Sequence, residues 1–240
     1  MSTVSTSLAR TAHNDDVHRT SAAADPGPGV RGRARRYHHG NLAQALVAEG
    51  INLASESGPD AVVLREVARR VGVSPTAAYR HFDNQQALQH AVKDAALGRL
   101  ADHMQAAVAA LPAGSVGNAD DPAELAVRRL VAIGEAYFAF AMEQEGLFRC
   151  FCMGLPLAGG MSWGDEDEPA FGVLTAVLDD LVSVGSLDPD RRPGADLAAW
   201  SAVHGLAMLC LDGPLAALPV AEKEALVGAT VQMVLRGILR

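Results

Sequence analysis

Between residues 41 and 112 the chain is cut by helix-breaking residues at short intervals: Gly58-Pro59, Gly72, Ser74-Pro75 and Leu111-Pro112. Glycine readily takes the left-handed conformation that ends a helix, and proline fits only a helix's first turn. The spacing predicts a helix over about Asn41–Ser57, a short one over about Leu64–Val71, a third from Ser74 to about Phe82 and a long fourth over about Asn84–Ala110. Leu42, Ala45, Leu46, Ile51 and Leu53 give the first an apolar stripe; Leu64, Val67, Ala68 and Val71 do so for the second. Ser74 is placed as an N-cap with Pro75 at the first helical position, and Asp83 with Gln86 resembles a capping box opening the fourth helix.

Beyond Pro112, Ala- and Leu-rich segments with helical periodicity return at about 123–144, 147–153, 169–184, 195–211 and 221–239. Alternating strand patterns are scarce. An all-α fold is expected, with a three-helix helix-turn-helix domain at 37–95 and a larger helical domain at 96–240. Residues 1–30 are rich in Ser, Thr, Ala, Asp, Pro and Gly and are expected to be disordered. RGRARR, Arg31 to Arg36, follows as a basic arm suited to a phosphate backbone or a minor groove.

The net charge of −8 is unevenly spread. Residues 31–102 hold 10 Lys and Arg against 7 Asp and Glu, whereas residues 103–240 hold 8 against 18. A basic module joined to an acidic one suits a nucleic-acid reader carrying a different second domain. The three cysteines, Cys150, Cys152 and Cys210, form no C-x-x-C motif and are expected to be plain buried thiols. No signal-peptide pattern opens the sequence, and the longest apolar run, Leu197–Leu211, is too short to span a bilayer. A cytoplasmic protein without membrane association is expected. The carboxylates of WGDEDEP, Trp163 to Pro169, lack ligand spacing and suit a solvated loop. No Walker phosphate loop occurs, and neither an enzymatic activity, a metal nor a cofactor is expected.

The stretch VGVSPTAAYRHF, Val71 to Phe82, is the most informative. The second helix of a helix-turn-helix enters the major groove. Entry favours small side chains where the backbone comes close, which Thr76, Ala77 and Ala78 supply, and polar groups at the ends. Tyr79 can reach a phosphate, and Arg80 and His81 a phosphate or a base edge. Val73 and Phe82 are the expected inward anchors. A helical interaction protein whose helix pair only packs is the competing reading, and the Tyr-Arg-His surface argues against it.

LREVARRVGVSPTAAYRHFDNQQAL, Leu64 to Leu88, resembles the DNA-binding domain of the TetR family of bacterial transcriptional regulators. YHHGNLAQALVAEGINLASESGPDAVV, Tyr37 to Val63, continues the likeness. The resemblance implies that Arg65 contacts a base or phosphate from the second helix, that Thr76, Ala77, Arg80 and His81 face the groove, and that Tyr79 holds a phosphate. Two positions depart from the family's pattern: Gln85 stands where a phosphate-gripping Lys is common, and Val63 where Ser or Thr often caps the second helix. The arm ending at Arg36 is expected to compensate.

In TetR-type proteins the C-terminal region dimerises and holds a small-molecule pocket. WSAVHGLAMLCLDG, Trp200 to Gly213, resembles the Trp…His-Gly signature of one C-terminal subclass. Trp200 and His204, four apart, stack on one helix face. Tyr137, Phe138, Phe148, Phe151, Trp200, His204 and Met208 are the candidate pocket residues, any of which could equally be core. Leu226, Val227, Val231, Val234, Leu235 and Ile238 make the last helix apolar enough to need a partner, expected to be a second copy of the chain. The resemblance implies a homodimeric repressor that binds a palindromic double-stranded DNA operator and is released by a small molecule, with activation the alternative.

Overall fold

The computed structural model describes residues 42–111, 121–152 and 169–239. Among them the secondary structure is helical, apart from an isolated antiparallel bridge between Leu187 and Leu239. The elements run α1 (Leu42–Ser57), α2 (Leu64–Val71), α3 (Pro75–Tyr79), α4 (Gln85–Ala109), α5 (Pro122–Glu143), α6 (Glu145–Cys152), α7 (Pro169–Ser183), α8 (Ala195–Leu211) and α9 (Val220–Ile238). Short 3₁₀ turns lie at Pro59–Ala61 and Pro189–Arg191.

The breakers act as the sequence suggests. Gly72 sits at φ 82°, and the N–H groups of Gly72 and Val73 donate to the carbonyls of Arg69 (3.2 Å) and Ala68 (2.9 Å), a Schellman closure of α2. Ser74 Oγ accepts the N–H of Ala77 at 3.2 Å and opens α3. Two boundaries differ from expectation. α3 stops at Tyr79 rather than Phe82, because the N–H groups of Arg80 and His81 fold back in tight turns to Ala77 and Ala78. The cap of α4 is Asn84, not Asp83: Asn84 Oδ1 accepts the N–H of Ala87 at 2.8 Å, one residue nearer the first buried side chain, Leu88.

Leu88, Val92, Ala96, Leu100 and Met104 recur every four residues along α4 and are all buried. At ~1.5 Å per residue the helix is ~37 Å long, so it joins the α1–α3 head to the α5–α9 body. Residues 95 and 96, where the sequence suggested a division, lie inside α4, and one apolar core runs from Leu42 to Ile238. The expected apolar stripe of α9 is consumed within the chain: Val227, Val231, Leu235 and Ile238 are buried, with Leu226 and Val234 packed beside them. No helix among the described residues is long and apolar enough to cross a membrane.

Ion pairs clamp the head. Arg70 donates to Glu49 (3.4 Å), Glu56 (2.7 Å) and Glu66 (3.3 Å), tying α2 to α1, while Arg69 is bidentate on Glu66 at 2.8 and 2.6 Å. The hydrogen bonds from Arg69, then its charge and that of Arg70, hold the Glu66 carboxyl down to about 2. A depressed carboxylate contributes stability above its unfolded value, and that contribution is lost as pH falls through the folded one. Wild type should therefore lose more stability than Glu66→Gln between about pH 4.5 and 2 at low salt, followed by circular dichroism. The difference should shrink in high salt, because the pair is exposed; identical acid profiles at low salt would contradict it.

Candidate functional site

In the head, α2 and α3 turn two different faces outward and inward. Val67, Ala68 and Ala78 are buried, and Val71, Val73, Ala77 and Phe82 are half-buried against them. Ala78 therefore belongs to the core rather than to a groove-facing surface, and Ala77 lies at its edge. The expected anchors Val73 and Phe82 do point inward. Arg65, Thr76, Tyr79, Arg80, His81 and Gln85 are all exposed, Tyr79 at 42%. Their side chains enter no hydrogen bond or ion pair among the described residues. Arg69 and Arg70, by contrast, are spent on carboxylates. Two uncommitted guanidiniums, a phenol, a hydroxyl, an imidazole and an amide thus surround a helix of five residues that carries only small side chains ahead of Tyr79.

Without the arm, residues 42–102 hold 6 Lys and Arg against 7 Asp and Glu. The positive balance of the module comes from Arg31, Arg33, Arg35 and Arg36, which lie outside the described residues. Val63 caps α2 without a side-chain hydrogen bond, as its apolar side chain requires.

In the body, Tyr137, Phe148, Trp200 and His204 form one aromatic cluster. Tyr137 packs edge-on to Phe148 at 5.6 Å and to Trp200 at 5.1 Å between ring centroids. Trp200 and His204 stack at 6.4 Å with 20° between their planes, as their spacing on α8 suggested. The hydroxyl of Tyr137 is 2.8 Å from His204 Nδ1. Burial pushes the imidazole pKa down, so the ring is neutral at neutral pH. Beside the cluster lies an apolar cavity of about 40 Å³, bounded by Met104 of α4, Ile133 and Tyr137 of α5, Leu174 of α7, and Trp200 and Val203 of α8.

Two other candidates fall elsewhere. Phe138 faces a cleft of about 620 Å³ between α5, α8 and α9, and Met208 faces one of about 630 Å³ between the end of α1, α6 and α8. Phe138 follows Tyr137 by about 100° around α5, whereas Met208 shares the face of His204 but lies one turn farther along α8. The side chain of Phe151 and residue Arg36 lie outside the described part of the molecule. Sequence reasoning missed the aliphatic walls Met104, Ile133, Leu174 and Val203, which carry no signal to separate them from core. Cys150 and Cys210 are buried free thiols.

Two strings match catalytic patterns: GPGVRG (Gly27–Gly32) fits G-x-G-x-x-G, and GMSWG (Gly160–Gly164) fits G-x-S-x-G. Both patterns work at the turn from a strand into a helix. Both strings lie outside the described residues, and no strand exists among those residues to supply that turn. As motifs they carry no enzymatic argument.

Residues 46–92 match the family described as bacterial regulatory proteins, tetR family, and residues 130–234 match the tetracyclin repressor-like C-terminal domain. The two matches take in the head, the aromatic cluster and well over half of the chain. The chain belongs to the TetR family. It is a ligand-responsive transcriptional regulator, not an enzyme.

Solved structures share the fold. A protein of unknown function from Rhodococcus sp. RHA1 is 24% identical, with a TM-score of 0.66 over 86% of this chain and 100% of that one. A TetR-family transcriptional regulator from Pectobacterium atrosepticum is 18% identical, with a TM-score of 0.61 over 84% and 95% of the two chains. The transcriptional regulator FadR from Bacillus subtilis, in complex with stearoyl-CoA, is 13% identical, with a TM-score of 0.55 over 81% and 98%. A comparison with curated proteins finds no match. In this TetR-family chain, Trp200, His204 and Gly205 fall within the C-terminal family match.

Proposed function

We propose that this TetR-family regulator is a cytoplasmic repressor that binds a palindromic operator as a homodimer and leaves it when a small molecule enters the body. The observation that carries the DNA reading is the uncommitted set Arg65, Thr76, Tyr79, Arg80, His81 and Gln85 around α3, beside arginines already neutralised by carboxylates. Packing alone gives no reason to leave two guanidiniums unpaired at that position. Tyr79 and Gln85 take phosphates, Arg80 and His81 base edges, and Thr76 lies where the backbone comes closest. The arm ending at Arg36 supplies the phosphate contacts that an otherwise acidic head lacks, so removing residues 1–36 should flatten the salt dependence of binding by about 0.9 per lost contact.

Selecting genomic fragments with the purified full chain tests this reading. A recovered palindrome with half-sites about 34–36 Å apart is expected, and Tyr79→Ala should weaken binding to it about tenfold. Recovery of unrelated fragments with equal affinity would overturn the reading. The stearoyl-CoA held by Bacillus subtilis FadR supports a ligand site in this fold, and the cavity lined by Tyr137 and Trp200, with Phe148 and His204 packed behind them, is our candidate for that site here. The reading that Trp200, His204 and Gly205 belong to the Trp-His-Gly subclass rests on the resemblance of WSAVHGLAMLCLDG alone.

The dimer is placed on the outer face of α8 and α9. Leu197 and Leu209 of α8 and Met233 of α9 are exposed at 45–67%. Gly205, Gly228 and Gly237 have open space where a Cβ would stand, so another backbone can approach closely. Met233→Glu should convert the dimer to monomer in sedimentation and abolish cooperative operator binding, because an uncompensated charge would be buried at the interface. A Met233→Glu protein that stays dimeric would move the interface elsewhere.

A further inference from the structure

The cavity beside Trp200, at about 40 Å³, is too small for a ring: an engineered apolar cavity that takes up benzene measures roughly 150 Å³. An effector that binds here has to enlarge it. Most of its walls are branched or aromatic side chains from α5, α7, α8 and α9. Met104 is different. It comes from α4, is unbranched, and so yields most easily among close-packed neighbours. It is only 2% exposed, so making room means moving Met104 against α4 itself. α4 begins at Gln85, one of the uncommitted polar residues of the head. The clefts at Phe138 and Met208 are not touched by α4, and the cleft of about 320 Å³ that α4 does line, at Gln105, Val108 and Ala109, holds none of the aromatic cluster.

We infer that Met104 is the coupling residue between effector and DNA: it fills, in the DNA-binding arrangement, the space that the effector needs, and the effector is an uncharged, largely apolar molecule. The inference rests on the DNA-binding and effector-site reading above. No charged side chain lines the cavity, so an ion entering it would lose hydration without a counter-charge. The polar groups at its wall are the phenol of Tyr137, already bonded to His204, and the indole N–H of Trp200, which makes no hydrogen bond among the described residues. One polar acceptor on the effector is therefore accommodated. Because the ligand and the closed packing exclude each other, the ligand binds the other state better, which a population shift requires.

The test uses benzamide, with benzoate and benzylammonium as charged probes of matched size, on the full chain. Binding is read from Trp200 fluorescence in a Trp163→Phe background and from thermal shift; operator affinity is read separately by anisotropy. Benzamide should bind, and at saturation should weaken operator binding; the charged probes should do neither. Met104→Ala should bind benzamide about tenfold more tightly, since the state with an open cavity no longer has to be selected, yet keep its operator affinity when benzamide is bound. Val203→Ala enlarges the same cavity from α8 and should bind benzamide more tightly while still releasing DNA. If Met104→Ala fails to fold, Met104→Leu keeps the volume but is branched and yields less, so it should bind benzamide more weakly than the wild type and need more of it to release DNA. Benzoate binding as well as benzamide, or no benzamide binding by any variant, would overturn the ligand class. Full DNA release by benzamide in Met104→Ala would overturn the role of Met104. Failure of the wild type to bind an operator without any probe would instead sink the underlying DNA reading, and the coupling with it.

Discussion

Gly146→Ala is expected to lower the unfolding midpoint by several degrees and to weaken operator binding in the same protein. A Cβ at Gly146 would overlap the carbonyl oxygen of Ala54 and stand 3.0 Å from its carbonyl carbon and 3.1 Å from Cα of Ser55. These are backbone atoms of α1, and Ala54 is fully buried, so neither can move aside cheaply. Overpacking of this kind costs about 1–3 kcal/mol, and about 2–4 °C per kcal/mol is usual for a domain of this size. The strain falls between α6 and α1, the contact that joins the aromatic cluster to the head, and the simplest relief separates them. Differential scanning fluorimetry and anisotropy read the two effects. An unchanged midpoint would mean that α6 is free to shift and does not brace the head.

Phe148→Ala should destabilise the chain most, by about 3–5 kcal/mol. Phe148 is fully buried, two residues beyond Gly146 on α6. Its ring meets Tyr137 edge-on and lies 5.5 Å from His204. Truncation leaves a hole beneath the Tyr137–His204 hydrogen bond as well as removing the ring's own contacts. Phe148→Leu, which keeps most of the volume, should cost much less. Urea denaturation measures both; a loss below about 1 kcal/mol for Phe148→Ala would show that the cluster collapses to fill the gap and is not rigid.

The head was legible because its breakers act locally. A glycine at φ 82°, a serine one turn before a donor and a proline at a first helical position need no tertiary partner to do their work. The errors there were a cap displaced by one residue, an alanine assigned to the wrong face and an α3 end placed three residues too far along. Asn84 and Asp83 are adjacent residues of similar capping strength, and only packing of Leu88 chooses between them. Ala77 and Ala78 are identical in chemistry, and only their phase on a five-residue helix makes one half-buried and the other fully buried.

The body was less legible for a physical reason. Aromatic residues announce themselves, and Tyr137, Phe148, Trp200 and His204 do come together. Phe138 and Met208 were equally plausible on composition, but Phe138 lies at another phase of α5 and Met208 one turn farther along α8. Met104 and Val203 look like core because they are core; what makes them functional candidates is a gap of about 40 Å³ that no periodicity encodes. Gly146 had no signal at all, since its role depends on a helix some 90 residues earlier in the chain. The apolar face of α9 misled in the opposite sense, for it packs on its own chain and leaves a different face to the outside.

The central claim is that the uncommitted face around α3 reads double-stranded DNA. Operator affinity across a salt series, for the full-length wild type beside Arg80→Ala, bears on it most directly. Tight binding by the wild type that weakens steeply with salt, and a loss of about 1–3 kcal/mol in Arg80→Ala with relaxed discrimination at one base position, is the expected result. Equal affinity of the two proteins for operator and for unrelated DNA, with the same salt slope, would contradict it and leave the helix pair a packing element only.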